Sequence, residues 1–283
     1  MLAALVCLAV GAVGCHRAAP PLAATPGPPD DPVGTALAEG DRAWGAREDP
    51  ARLALAVAAF GRAASLRPGD AQLELRLARA QALRAQGAAT PAEARQAWDA
   101  SSRAAERSLR VGSPAFAAAI DRGEEAVAAA AAVEEAGAEP LYWLAVGRLR
   151  VAQSTGPMAV MVVKETVLAL LERVVALDEK VDRAGAHRWL GALSASLPAA
   201  AGGGVARARE HFERARALAP EDPFRPVLEA ETLAVLLQDG ARFDALLAEA
   251  LARDPAAERP LAAEIVAARR MAEALAARRA RLF

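Results

Sequence analysis

Residues 56–68 read AVAAFGRAASLRP and residues 208–220 read AREHFERARALAP. Both place a small residue, a Phe four positions on, an Ala three after that, a Leu three further, and a Pro two beyond the Leu. On a helix of 3.6 residues per turn these positions share one face, on which small and large side chains alternate. Small residues let a neighbouring backbone approach, the large ones fill the gap between backbones, and the Pro ends the helix. A looser copy stands at Val167, Leu171, Val174 and Leu177, and another at Phe243, Leu247, Ala250 and Pro255. This is the second-helix pattern of a tetratricopeptide (TPR) hairpin. Spacing between copies departs from the usual period of about 34 residues. The expectation is therefore an all-α, TPR-like helical-hairpin repeat array, somewhat irregular, with five or six hairpins.

The breaks between the helical segments agree. Arg67-Pro68-Gly69-Asp70, Gly112-Ser113-Pro114, Gly137-Ala138-Glu139-Pro140, Ser154-Thr155-Gly156-Pro157 and Ala219-Pro220-Glu221-Asp222-Pro223 each close one helix and open another. Gly202-Gly203-Gly204 reads as a permissive turn rather than a phosphate loop, because no Gly-Lys-Ser/Thr follows it. The run MAVMVV from Met158 is the most apolar internal stretch. Lys164 and Glu165 cut it short of membrane-spanning length, so a buried core helix over 158–178 is expected.

Composition supports close helix packing. Hydrophobic residues form 54% of the chain but aromatics only 4%, so Ala, Leu and Val must build the core. Lys+Arg 34 against Asp+Glu 35 leaves a net charge of −1, which lacks the basic footprint of a nucleic-acid binder.

Both cysteines, Cys7 and Cys15, fall in the first fifteen residues. Leu2 to Val13 is apolar and too short to span a membrane, as in the core of a signal peptide. It ends in Ala12-Val13-Gly14-Cys15, which resembles a bacterial lipobox and implies lipid attachment at Cys15. Residues 1–15 are thus expected to be a lipoprotein signal peptide and 16–33 a Pro-rich tether that reaches about 50 Å when extended. A helical domain is expected over 34–283.

The chemistry for catalysis is sparse. His187 and His211 lie on successive predicted helices without a metal-binding pattern, and His16 sits in the tether. The pairs Glu124-Glu125 and Glu134-Glu135 read as solvated helix ends. No enzymatic activity, cofactor or metal is expected. A C-terminal helix from about Ala257 to Leu282, with Arg269, Arg270, Arg278, Arg279 and Arg281, reads as a solvated cap. Aromatic side chains are scarce enough to mark special surfaces, either filling large gaps or lining a groove. Tyr142, whose hydroxyl needs a partner, is the first groove candidate.

Six segments carry a family resemblance in order and spacing: LYWL (141–144), ALLERVVALDE (169–179), GAHRWLGAL (185–193), GGGVARAREHFERARAL (202–218), QDGARFDALLAEALARDP (238–255) and AARRMAEALAARRARLF (267–283). Together they resemble the TatT component family of tripartite ATP-independent periplasmic (TRAP) transporters. Tyr142-Trp143, Gly185-Ala186-His187, Arg269-Arg270 and Leu282-Phe283 distinguish the pattern from a generic TPR helix. Ala145-Val146-Gly147 stands where a second Trp is common in the family.

The resemblance implies a lipid-anchored accessory protein of the cell envelope facing the periplasm, on either the inner or the outer membrane. Its implied partner is a periplasmic solute-binding protein, with a small organic or apolar solute as a further ligand. Self-association is also compatible with such an array. Candidate binding residues, chosen by scarcity and motif position, are Tyr142, Trp143, His187, Trp189 and Arg270. The alternatives are a generic TPR scaffold for other envelope complexes, or a lipoprotein carrying an apolar solute.

Overall fold

The computed structural model describes residues 31–199 and 202–283. Cys15, the signal segment and nearly all of the tether lie outside the described residues. Pro32–Phe283 forms one compact unit.

Within this unit the described elements are helical throughout. The first hairpin is α1 (Pro32–Trp44) and α2 (Pro50–Leu66), and the second is α3 (Ala71–Gln86) and α4 (Pro91–Gly112). Two short helices, α5 (Pro114–Asp121) and α6 (Ala126–Ala130), lead into α7 (Ala138–Thr155), which pairs with α8 (Pro157–Leu177). Then follow α9 (Val181–Ser196) with α10 (Val205–Leu218), and α11 (Phe224–Glu229), which runs through a π turn (Ala230–Ala234) before α12 (Gly240–Leu251). The chain ends in α13 (Ala262–Ala276) and the single turn α14 (Arg279–Leu282). Helices thus begin two residues before the expected domain start, and the basic C-terminal segment is broken into two helices.

Local grammar explains the boundaries. Pro occupies the first position of α1, α2, α4, α5 and α8, where its missing N–H costs nothing. The Asp49 and Asp70 carboxylates accept from the first free N–H groups of α2 and α3. Thr90 and Glu93 form a reciprocal capping box at α4. At the 202–204 turn, Gly202 and Gly204 adopt φ of +81° and +118°. A Cβ on Gly203 would lie 2.0 Å from the Leu197 carbonyl oxygen, so the turn between α9 and α10 can only be glycine.

The core follows the alternating pattern. Phe60, Phe212 and Phe243 are buried, each with the small partners Ala63, Ala215 and Ala250. Where α4 meets its neighbours the packing is closer still. Ser101 and Ser108 donate to the carbonyls of Ala78 and Ala71 on α3, at 2.9 and 2.8 Å. Gly147 of α7 stands so near α4 that a Cβ would meet that of Ser102 at 2.7 Å. Glycine at 147 is what this contact requires.

One expectation for the core fails. The start of α8 is not buried: Met158 is 77% and Val162 78% exposed, and only from Val167 does the helix turn a continuous apolar face inward. Hydropathy alone overstated burial here, since Met158, Met161 and Val162 all stand in solvent.

The array also closes on itself. α13 is not a solvated cap but packs against α3 and α2, where Ala263 joins Leu53 and Leu83. Arg47 seals the seam, donating to the Pro260 carbonyl at 2.7 Å and to the Glu264 carboxylate at 3.2 Å, with its guanidinium 4.8 Å from the Trp44 ring centre.

Candidate functional site: the inner cavity and its buried charge network

Closure leaves a cavity of about 250 Å³ bounded by α1, α3, α7, α9 and α13. Trp44 and Trp143 supply its indole walls, and Arg79, Arg183, Glu139, Asp182 and Glu264 its charged ones. Arg79 binds Glu139 with both guanidinium branches, and the Trp143 Nε1–H donates to the same carboxylate at 3.0 Å. Trp143 lies edge-on to Tyr142 with ring centres 4.8 Å apart.

Behind the cavity wall lies a buried network. The Tyr142 hydroxyl donates to Asp182 at 2.8 Å and accepts from Arg188 Nη2 at 3.0 Å. Arg188, 1% exposed, also binds Asp182 at 2.9 Å and Asp222. Burial by itself would lower the Arg188 pKa, but Asp222, Tyr142 and Asp182 hold it above the ordinary guanidinium value. Burial, then the Asp182 charge, pushes the Tyr142 hydroxyl well above its usual range, so it remains a neutral donor.

The backbone at this point is unusual. Asp182, Arg183 and Ala184 have φ of +47°, +56° and +56°, a left-handed turn entering α9. Such residues cost roughly 1–2 kcal/mol each and persist where contacts over-determine them. Here Asp182 is pinned by Tyr142 and Arg188, and the turn presents Arg183 to the cavity. Gly185 follows because a Cβ there would lie 2.4 Å from the Tyr142 hydroxyl oxygen.

The structure brings together only some of the expected residues. Tyr142 and Trp143 share the wall, Tyr142 as a buried support and Trp143 as a lining group. Trp189 is buried farther along, against Arg150. His187 faces α10, with Nδ1 3.0 Å from the Nδ1 of His211. Arg270 is exposed and lines a separate cavity of about 210 Å³ along the α2, α3 and α13 seam. Arg188, Asp182 and Asp222 were missed by sequence reasoning. Arg188 carried a faint signal, a charge beside Trp189 and Leu190, whereas Asp182 and Asp222 sit in the polar segments DEKVDR (178–183) and APEDP (219–223) and carried none.

Among the described residues, no group of three or more His, Cys, Asp or Glu is placed to hold a metal ion. No helix among them is long and apolar enough to cross a membrane.

The described residues thus form an all-α array of helical hairpins closed around a small mixed-charge cavity. The match to the TRAP transporter T-component model over residues 76–283 makes the assignment specific: the chain belongs to the TAtT family. It is thus an accessory component of a TRAP transport system of the cell envelope. Comparison with curated proteins finds no match.

Proposed function

We propose that the protein is a non-catalytic, lipid-anchored T-component that faces the periplasm, binds the solute-binding protein of its transporter and holds a small solute on the inner face of its array. Family membership supports the transporter role. The lipobox-like Ala12-Val13-Gly14-Cys15 and the Pro-rich stretch after it support anchoring at Cys15. The observation that carries solute binding is the cavity itself. Its walls are ion-paired and held by strained backbone, an expense that core packing alone does not require. Trp143 would contact the solute, with Tyr142 fixing the wall behind it. Trp189, His187 and Arg270 have separate surroundings.

The test is to solubilise the intact protein from its native membrane after mild crosslinking and identify what co-purifies. Recovery of a periplasmic solute-binding protein is the expected result. Its repeated absence would refute the transporter-partner reading. Cys15→Ser should release the protein from the membrane fraction, and continued membrane retention would refute the lipid anchor.

A further inference from the structure

The seam where α13 meets α2 and α3 encloses the second cavity, of about 210 Å³. Each helix gives it one stripe. α13 presents Ala263, Val266, Ala267 and Arg270, at three, four and seven residues from the first, so all four share one face. Leu53 and Ala54 of α2 and Leu83 and Arg84 of α3 add to the lining. Leu53, Leu83 and Ala263 pack together as a buried cluster, which makes the floor apolar.

Five charged side chains complete the cavity. Arg47 is held by Glu264, and the Glu93 carboxylate accepts from the Thr90 N–H at 3.1 Å. That leaves two guanidinium groups, on the half-buried Arg84 and the exposed Arg270, against the exposed Glu48. Neither arginine makes an ion pair or hydrogen bond with any of the described residues, so an anion bound there displaces no internal partner. Two planar forks beside an apolar floor suit an oxyanion with a hydrocarbon tail, and an excess of one positive charge suits a monoanion. An apolar cavity of about 150 Å³ takes benzene, so this one has room for a tail of about eight carbons but not for the paired chains of a membrane lipid.

We propose that the seam cavity binds a single-tailed organic carboxylate, its head held by Arg84 and Arg270 and its tail on the Leu53, Leu83 and Val266 floor. Because α13 supplies one arginine and part of the floor, the site exists only while the array is closed. Its ligand therefore latches α13 to α2 and α3. The site is distinct from the inner cavity and stands whether or not that cavity holds a solute.

Isothermal titration of the full chain in phosphatidylcholine nanodiscs, with empty discs as the blank, compares octanoate, 1-octanol and acetate. Octanoate is expected to bind at least tenfold tighter than either. Arg84→Gln and Arg270→Gln should each lose at least fivefold in octanoate affinity and keep the native melting temperature, since neither side chain has a partner to lose. Ala54→Phe, at an exposed position of the lining, should fill the tail space and abolish binding, and it serves if an arginine variant fails to fold. Octanoate should also slow amide exchange in α13 but not in α10, and this protection should vanish in Arg270→Gln. Octanol or acetate matching octanoate, undiminished binding by the variants, or no octanoate binding by the native chain would each overturn the site. Protection spread evenly over the unit would overturn the latch. Loss of octanoate binding in discs containing phosphatidic acid would place a lipid head group on the arginines and overturn the single-tailed ligand.

Discussion

His187 and His211 face each other through their Nδ1 atoms at 3.0 Å, joining α9 to α10. Only one of the two atoms can carry the proton between them. With Glu179 Oε2 3.5 Å from His187 Nε2, the arrangement fits His187 protonated on Nε2 and accepting at Nδ1 from His211. Arg214 in turn binds Glu179, at 3.0 Å from its Nε.

This pair makes stability pH-dependent. Burial, then the neighbouring His187 and Arg207, lowers the His211 pKa to about 4, and burial also lowers that of His187. Glu179 and Glu210 oppose the shift at His187, and Arg214 reinforces it. In the unfolded chain both titrate near 6.5, so below that pH the unfolded state binds more protons. Stability should therefore be full above about pH 6.5 and fall as pH drops towards 4, by about 1–2 kcal/mol once solvent screening is allowed for. Denaturant unfolding across this range measures it. His211→Gln should flatten the dependence, and an unchanged slope would contradict the pairing.

Asp222→Asn should destabilise the fold by about 3–5 kcal/mol, because it leaves the buried Arg188 charge short of a partner. Replacing both residues, as in Arg188→Met with Asp222→Leu, should cost less than the sum of the single changes. Urea melts of the double-mutant cycle read the difference, and simple additivity would mean that the two side chains are not coupled.

Gly147→Ala should cost about 1–3 kcal/mol by forcing α7 away from Ser102 and the Trp98 carbonyl. A melting temperature within a degree of the native one would show that the two helices have slack.

Val162→Glu should leave stability within about 0.5 kcal/mol, since the side chain stands in solvent despite its place in the MAVMVV run. A loss of several kcal/mol in thermal unfolding would restore the buried reading of this segment.

Arg47→Ala removes the Glu264 and Pro260 contacts and the stacking on Trp44, at an expected cost of about 1–2 kcal/mol. Amide exchange should accelerate in α13 before other helices. Uniform acceleration across the unit would mean that the seam is not a local weak point.

Much of this was legible in the sequence. Phe60 and Phe212 are core residues because the residues four before and three after each are small, a pattern set by helix geometry alone. The glycine turn at 202–204 and the proline-led helix starts were equally readable, as they depend on neighbours in the chain. What escaped depends on register between distant segments. Nothing near His187 says that its ring meets His211, and nothing near Glu264 points to Arg47. The left-handed turn has only Asp182 to favour it locally, with Arg183 and Ala184 following in the same conformation. It is held by Tyr142, forty positions away. Composition likewise marked Tyr142 and Trp143 as notable but could not separate supporting from lining roles.

The Arg47 and Glu264 contact spans 217 positions of the chain. An open stack of hairpins can fray from either terminus and lose one unit at a time. A stack whose last long helix is bolted to its first two hairpins has no free end to peel, and must assemble late, after the whole chain has been made. Removing or inserting a single hairpin would therefore shift the two halves of the seam out of register. Growth by repeat duplication, open to linear arrays, is closed to this one.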